Sequence, residues 1–296
     1  MKKPIWVVAS ILGAVFLGEV AVQLSGALDA PLYKANNAIG YIPSPSQSGS
    51  FLHSHDWQFN EISMGAGPFK PVPEKFNLLL VGDSVVLGGN PLAESERLGP
   101  QLQKLTDWQV WPISAGSWAL QNELSYLRSH ADILPKIDAI AFVLNSGDFG
   151  DPSSWANELT HPRTRPFPGL GFLFKKYVLK AAPPEVPPEL KVATRDWRPD
   201  LRAMSVAFGK PVYVFLYPDQ PQVRDPQKMQ RELIAHTSEI KESAGGSVNV
   251  YDVARQEWTI DSYRDGIHPS GAGNAVLAAI LKTDICRTSE PKMACN

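Results

Sequence analysis

The chain has 296 residues, of which 44% are hydrophobic and 20% charged, and its formal net charge at pH 7 is −2. These values are typical of a globular protein with one sizeable domain, and they exclude a largely disordered chain. No basic stripe recurs along the sequence, so we do not expect nucleic acid as a partner.

The N-terminus carries the marks of export. Two lysines precede an uncharged run over residues 4–18, and a second apolar stretch continues past Glu19. A basic start before an apolar segment is typical of an export signal, and small residues at 25–27 offer a cleavage site. Without cleavage, residues 5–28 are long enough to cross a bilayer as an inner-membrane tether. We therefore expect a periplasmic or otherwise extracytoplasmic protein, with cleavage or anchoring left open.

After this segment the pattern becomes that of a layered domain. Residues 30–75 are rich in Pro, Gly, Ser and Asn, which predicts short extended pieces and turns along the domain's edge. Continuous apolar runs then alternate with amphipathic segments. The predicted strands are 76–81, 108–114, 137–144, 211–217 and 248–253, and the predicted helices are 92–105 (interrupted at Gly99-Pro100), 120–134, 226–243 and 271–282. This alternation predicts an α/β fold, a three-layer doubly wound parallel sheet.

An insertion at 160–190 breaks the alternation, because it is basic, aromatic and Pro-rich. It is either a plain surface excursion or a lid or patch that faces an anionic polymer or a membrane surface. We divide the chain into a signal peptide or signal anchor, an N-terminal segment packed on the core, a main domain that holds the insertion, and a tail. The bounds of these four parts are 1–28, 29–75, 76–285 and 286–296.

Two further sets of residues concern disulfide and metal chemistry. Cys286 and Cys295 are the only cysteines, and an oxidising compartment favours a disulfide between them over two unpaired thiols. His53 and His55 stand near Asp56 but lack a third well-spaced ligand, so we expect no metal site.

A serine and a histidine stand at matching places in the predicted sheet. Gly-Asp-Ser84 ends the first strand of the main domain, and ligands bind at the carboxyl ends of such strands. Asp265 precedes His268 by three residues, just before the last helix. A carboxylate at this spacing can hold Nδ1 of the imidazole and leave Nε2 to face a nucleophile. The alternatives are that Ser84 and Asp265 only cap helices and that His268 is an exposed loop residue.

These motifs resemble those of the SGNH/GDSL hydrolases over roughly residues 76–282. That family carries Gly-Asp-Ser after the first strand, Gly after the second, Gly-x-Asn-Asp after the third and Asp-x-x-His near the end. Gly116 matches the second motif and Asp148 the aspartate of the third. The third motif departs at Gly147, where the family has asparagine, and Asn145 stands two residues earlier.

The resemblance implies an SGNH-hydrolase-like fold and serine catalysis without a cofactor or metal. Ser84 is the implied nucleophile, His268 the base and Asp265 the residue that orients the imidazole. The backbone N–H groups of Ser84 and Gly116 are the implied oxyanion donors, and Asn145 is expected to supply the third through a different loop path.

The expected substrate is an acyl ester, most simply an acetyl ester, of a glycan. Trp118 and Trp155 are candidates for a flat platform under a sugar ring, and Asp148 and Arg163 are further candidate substrate-binding residues. Three functions stay open: an exported esterase of a polysaccharide, a polysaccharide O-acyltransferase with the same triad, and a catalytically weak glycan-binding or assembly protein.

Overall fold

The structure is a computed structural model that describes residues 3–179, 184–255 and 257–288. It begins with helix α1 (Lys3–Leu24), which is exposed to solvent over residues 6–17. By length and composition, α1 is the helix of the described ranges that could cross a membrane. Two antiparallel hairpins follow, and their strands are β1 (Tyr33–Asn36), β2 (Gly40–Pro43), β3 (Gln47–Phe51) and β4 (His55–Phe59).

A five-stranded parallel sheet forms the centre of the protein, in the order β6-β5-β7-β8-β9. In this order the chain adds β6 on one side of β5 and then returns to add β7, β8 and β9 on the other side. The strand order therefore changes direction between β5 and β7, and ligands bind in the crevice at the carboxyl ends of strands at such a point. The five strands are β5 (Asn77–Gly82), β6 (Gln109–Ser114), β7 (Ala139–Leu144), β8 (Val212–Leu216) and β9 (Val248–Asp252).

Helices cover both faces of this sheet. Successive side chains of a strand point to opposite faces, and Leu78 and Leu80 of β5 pack in one cluster while Leu79 and Val81 pack in the other. The first face is covered by α3 (Leu98–Leu105) and α9 (Gly271–Thr288), and the second by α4 (Leu120–Ser129), α6 (Trp197–Phe208) and α8 (Pro226–Ala244). The predicted doubly wound three-layer fold, with an apolar N-terminal helix, is confirmed.

Three short helices lie at the ends of strands and in the insertion, namely α2 (Ser84–Leu87), α5 (Gly169–Leu173) and α7 (Gln220–Arg224). A π-helical turn (Phe174–Leu179) continues α5. The hairpin segment packs on the sheet through Ile39, Tyr41 and Met64, which join the core on the second face.

Several element bounds differ from the predicted ones. The predicted break at Gly99-Pro100 is wrong, because α3 begins at Leu98 and both residues lie in its first turn. Backbone N–H groups in the first turn of a helix have no partner within the helix, so a proline without an N–H fits there. The last helix continues to Thr288, and the predicted helix 120–134 ends at Ser129 before a 3-10 turn. Helix α6 has no counterpart among the predicted elements.

The division of the chain into four parts stays a prediction, as does the disulfide. Cys286 lies in the last turns of α9, and Cys295 lies outside the described residues.

Candidate active site

Ser84 is the first residue of α2, directly after β5. The turn is tight because Gly82 has no side chain: a Cβ there would lie 2.5 Å from the side chain of Val86. Asp83 is the N-cap, since its Oδ1 accepts the backbone N–H of Val85 at 2.8 Å. The capping role that was the alternative for Ser84 thus belongs to Asp83, and the serine hydroxyl is left for other contacts.

The structure brings the three predicted triad residues together. Nε2 of His268 lies 3.0 Å from Oγ of Ser84, and Nδ1 of the same ring lies 3.0 and 2.9 Å from the two carboxylate oxygens of Asp265. Asp265 Oδ1 also accepts the backbone N–H groups of Ile267 and His268 at 3.0 and 2.8 Å. Partial burial works to raise the pKa of Asp265, but these hydrogen bonds outweigh it and lower the pKa. The carboxylate is therefore ionised and holds Nδ1 as the protonated nitrogen.

The loop that carries Asp265 and His268 is attached to the carboxyl end of β8. Tyr217, just after this strand, donates its hydroxyl to the carbonyl of Ile267 at 2.5 Å, and the backbone N–H of Gln220 donates to the carbonyl of Gly266 at 2.9 Å. These contacts fix the height of the loop above the sheet, so the imidazole reaches across to the end of β5.

The same loop is also closed on itself. Tyr263 and Pro269 form an isolated antiparallel bridge, and the backbone N–H of Arg264 donates to the carbonyl of His268 at 2.9 Å. The Nε of Arg264 lies 3.7 Å from the carboxylate of Asp265. The backbone of this loop is thus held on both sides of the imidazole, which favours one fixed orientation of the ring.

The predicted oxyanion residues lie after β6 and β7. Gly116 follows β6, and its carbonyl accepts the hydroxyl of Tyr41 at 2.6 Å. Asn145 directly follows β7; its amide donates to Oδ2 of Asp83 at 3.1 Å, and its oxygen accepts the N–H of Gly147 at 2.7 Å. Ser84 Oγ lies 3.3 Å from the same oxygen of Asp83, so the amide is held beside the nucleophile. An amide nitrogen carries two N–H groups, and the second is the donor that we expect to serve the oxyanion.

Replacing Asn145 with alanine is expected to lower kcat for acetyl esters by about a hundredfold, the usual cost of one oxyanion donor. The KM should change little, because the donor acts on charge that develops in the transition state. Steady-state kinetics check this, with thermal unfolding as a control for the lost contact to Asp83. A kcat within about threefold of wild type would show that backbone N–H groups alone form the oxyanion hole.

Three carboxyl groups are buried behind the serine. Asp83, Glu123 and Asp148 are 4%, 0% and 2% exposed. Burial raises the pKa of all three, and the charge of Asp83 raises the pKa of the other two further. Oδ2 of Asp148 accepts the backbone N–H of Asn145 at 2.7 Å, so this aspartate holds the oxyanion loop from below. The burial of its side chain contradicts the predicted contact with substrate.

Glu123 is a residue that sequence reasoning missed. It lies on α4 and is fully buried, and among the described residues neither of its carboxylate oxygens has a hydrogen-bond partner. The described ranges also hold no group of three or more His, Cys, Asp and Glu side chains that could bind a metal ion. Burial without a hydrogen-bond partner disfavours the charged form of this carboxyl group and raises its pKa.

Neither of the two tryptophans has an exposed ring face that could form the predicted platform under a sugar. Trp118 is 1% exposed and donates its indole N–H to the carbonyl of Tyr41 at 2.7 Å. Trp155 is 5% exposed, and the guanidinium of Arg163 covers its ring at 3.9 Å. Arg163 in turn pairs with Glu158 at 2.7 Å. The two rings belong to the hydrophobic core on the second face of the sheet, and binding of substrate by Arg163 stays a prediction.

His161 is a second residue that sequence reasoning missed. Its ring packs against Tyr33 and Tyr41, and its Nε2 lies 3.9 Å from the point that a Cβ on Gly116 would occupy. Burial lowers the pKa of His161 to about 4, and the charge of Lys176 contributes to this shift. A neutral imidazole therefore stands beside the oxyanion loop. The spacing of the sequence gives no signal for this, because an irregular segment brings the residue to Gly116.

A scan against protein-family models and a search of curated proteins find no match to this chain. Among solved structures, a GDSL-like protein from Bacteroides ovatus is similar, with a TM-score of 0.39 and 16% identity over 73% of this chain and 54% of that one. An acetyl xylan esterase from Butyrivibrio proteoclasticus has a TM-score of 0.40 and 11% identity over 74% and 65%. A catalytic mutant of an acetylxylan esterase from Geobacillus stearothermophilus has 0.41 and 14% over 73% and 96%.

The chain thus spans about half of the first of these structures and about two thirds of the second. Similarity at this level makes no statement about the chemistry of this chain, which rests on its own residues.

Proposed function

We propose that the protein is an exported serine esterase that cleaves small acyl esters, with acetyl esters of a polysaccharide as the substrate class. The observation that carries the proposal is the unbroken line of hydrogen bonds from Asp265 through His268 to Ser84. Asp83, and not Ser84, is the N-cap of α2. The hydrogen bond of Ser84 to His268 is therefore not needed to begin this helix. A nucleophile, a base and an orienting carboxylate at these distances are the requirements of acyl transfer through a serine.

The steps of the reaction follow from these contacts. Oγ of Ser84 adds to the ester carbonyl as Nε2 of His268 takes the hydroxyl proton, and the oxyanion forms beside Gly116 and Asn145. Collapse of this adduct breaks the bond to the alcohol, and His268 returns the proton to the leaving alkoxide oxygen. Water then adds to the acyl carbon as His268 takes its proton, and His268 returns that proton to Oγ of Ser84 as the bond between Oγ and the acyl carbon breaks and the carboxylic acid leaves. Asp265 stabilises the imidazolium in both halves.

Two features support a glycan outside the cytoplasm as the carrier of the ester. The apolar helix α1 follows a basic N-terminus, which is the pattern of an exported chain. The mouth of the site beside Gly116 is polar, since the neutral imidazole of His161 stands there. Nδ1 of this ring lies 3.1 Å from the hydroxyl of Thr160, so Nε2 is the nitrogen that we expect to bond a sugar hydroxyl, as donor or acceptor according to the tautomer.

A second candidate function is transfer of the acyl group to a sugar hydroxyl. The position of His161 favours it, because a hydroxyl bound there would lie at the oxyanion side of the acyl-enzyme. Hydrolysis and transfer use the same triad and differ in whether water or a sugar oxygen reaches the acyl-enzyme.

Product analysis tests the proposal and separates the two functions. The full-length enzyme is given 4-nitrophenyl acetate with and without an oligosaccharide acceptor, and acetate and acetylated sugar are measured. Acetate that is released by the wild type and not by Ser84→Ala supports the esterase. Formation of acetylated sugar together with a matching decrease in acetate supports transfer. If neither product exceeds the Ser84→Ala background with this ester or with acetylated polysaccharide, the proposal fails and a glycan-binding role is favoured.

Replacing His161 with alanine is expected to raise KM for an acetylated oligosaccharide by about tenfold, the worth of one hydrogen bond to a neutral group. Turnover of 4-nitrophenyl acetate should stay within about twofold, because that ester has no sugar hydroxyl to bind. Parallel kinetics on both esters check this, with His55→Ala on the outer hairpin as the matched control. An equal loss on both esters would place His161 in the chemical step instead.

A further inference from the structure

The last turns of α1 are joined to the insertion by hydrogen bonds. The carboxylate of Glu19 accepts the backbone N–H groups of Gly169 and Leu170, the first residues of α5, at 2.7 and 2.9 Å. Gln23 donates to the same carboxylate at 2.8 Å. A Cβ on Gly169 would lie 2.5 Å from the side chain of Leu28. The end of α1 and the start of α5 therefore pack as one unit.

The small residues at 25–27, which predict a cleavage site, are also part of the folded structure. The carbonyl of Gly26 accepts the backbone N–H of Leu52 at 3.1 Å, and the carboxylate of Asp29 accepts that of Ser50 at 2.9 Å. Both partners belong to the hairpin of β3 and β4. A cut after residue 27 would remove the carboxylate that caps α5 and leave the insertion without its support.

The segment at residues 165–179, here called the collar, presents apolar side chains to the outside. It contains three cationic residues and no acidic one, in a chain whose net charge is −2. Several of its aromatic and aliphatic residues are more than half exposed, and Phe167 is 82% exposed. Exposed apolar residues of this size beside cations are typical of a surface that meets a membrane or a partner. The exposed apolar members are Phe167, Phe174, Tyr177, Val178 and Leu179.

The contact with Glu19 fixes the position of the collar along the axis of α1. The apolar span Trp6–Leu24 contains 19 residues, which as a helix measures about 29 Å, close to the hydrocarbon thickness of a bilayer. Glu19 lies five residues, or about 7.5 Å, before the end of this span. A carboxylate at that depth is costly unless it is paired, and the N–H groups of α5 provide the pairing. A bilayer that surrounds α1 therefore meets the collar as well.

We propose that α1 is retained as a membrane anchor and that the collar is inserted into the surface of the same bilayer, with Gly169 held at the depth of Glu19 and its cationic side chains reaching the headgroups. Arg165 and Lys175 then face anionic lipid phosphates, and the exposed aromatic rings lie at the boundary with the acyl chains, where such rings are enriched. His161 precedes the collar by four residues, a reach of at most about 14 Å. The collar thus holds the mouth of the candidate site near the membrane surface.

Photo-crosslinking from lipid tests this surface. The full-length protein is purified from membranes, its intact mass is measured, and it is reconstituted in phosphatidylethanolamine and phosphatidylglycerol vesicles with a diazirine near the ester end of an acyl chain. We expect an uncleaved N-terminus and roughly tenfold more lipid adduct on collar peptides than on matched exposed apolar sites. Those control sites are Val206 on α6 and Ile234 on α8, which are 67% and 59% exposed.

A variant separates the collar from the anchor. The triple change Phe167→Ser, Phe174→Ser and Tyr177→Ser should lower adducts on the collar about fivefold or more, because apolar area drives interfacial binding. Adducts on α1 should be unchanged. Three results would each overturn the proposal. The first is a mature chain that begins near residue 28, and the second is a level of collar adducts no higher than that at Val206 and Ile234. The third is a level of collar adducts that the variant leaves unchanged. The wild-type mapping decides the matter even if the variant does not fold.

Discussion

Replacing Ser84 or His268 with alanine should lower turnover of acetyl esters by about 10⁴-fold or more, as expected when a triad loses its nucleophile or its base. The two single variants should be nearly equal, and the double variant should lose little beyond either one. The reason is that each step assigned to the imidazole depends on the attack of the serine oxygen, from which its Nε2 lies 3.0 Å, so a chain without the serine leaves the imidazole no step to assist. Steady-state rates with 4-nitrophenyl acetate measure this.

Asp265→Ala serves as the graded control for the same triad. The carboxylate orients and stabilises the imidazole without touching the substrate, so this variant should keep roughly tenfold to a hundredfold more activity than Ser84→Ala. His268 would still meet Ser84, but its ring would lose the contacts of 3.0 and 2.9 Å to the carboxylate. Additive losses in the double variant of Ser84 and His268 would contradict their action as one unit.

Glu123→Gln is expected to change the pH dependence of stability. Burial and the charge of Asp83 raise the pKa of Glu123 in the folded state. Above about pH 4.3 the unfolded chain releases this proton while the folded protein keeps it. The wild-type free energy of unfolding therefore falls as pH rises, by about 1.4 kcal/mol for each unit, until the folded pKa is reached.

The glutamine variant has no proton to release at this position. Its free energy of unfolding, relative to wild type, should rise by about 1.4 kcal/mol for each pH unit over the same window. Denaturant unfolding at pH 5, 6, 7 and 8 gives the slope. Glu242→Gln, at an exposed position on α8, is the matched control and should leave the slope unchanged. Parallel curves for Glu123→Gln and wild type would mean that Glu123 is ionised in the folded protein.

The central sheet could be predicted because its strands are short apolar runs buried on both faces, as in Leu78–Val81. The proximity of Ser84 and His268 could be predicted because both residues stand beside elements of that sheet, and the carboxyl ends of parallel strands meet at one edge. Local patterns of this kind act over a few residues. They were enough to place Ser84 and His268 on the same side of the fold.

Contacts between distant and irregular segments could not be predicted in this way. No local pattern marks Glu123 as buried, because its surroundings arise only when α4 packs on the sheet beneath Asp83. Trp118 was expected to face a sugar, but the hairpin that contains Tyr41 covers it. The contact between Glu19 and the N-terminus of α5 joins residues 150 positions apart, and only the folded chain brings them together.

Labelling with a fluorophosphonate tests the nucleophile most directly. The reagent forms a stable bond with an activated serine, so intact mass and peptide mapping report which oxygen attacks. We expect one adduct per chain, located on Ser84, with labelling lost in Ser84→Ala and slowed by about 10³-fold or more in His268→Ala. Equal labelling of wild type and Ser84→Ala, or an adduct on another serine, would contradict the assignment of Ser84 as the nucleophile.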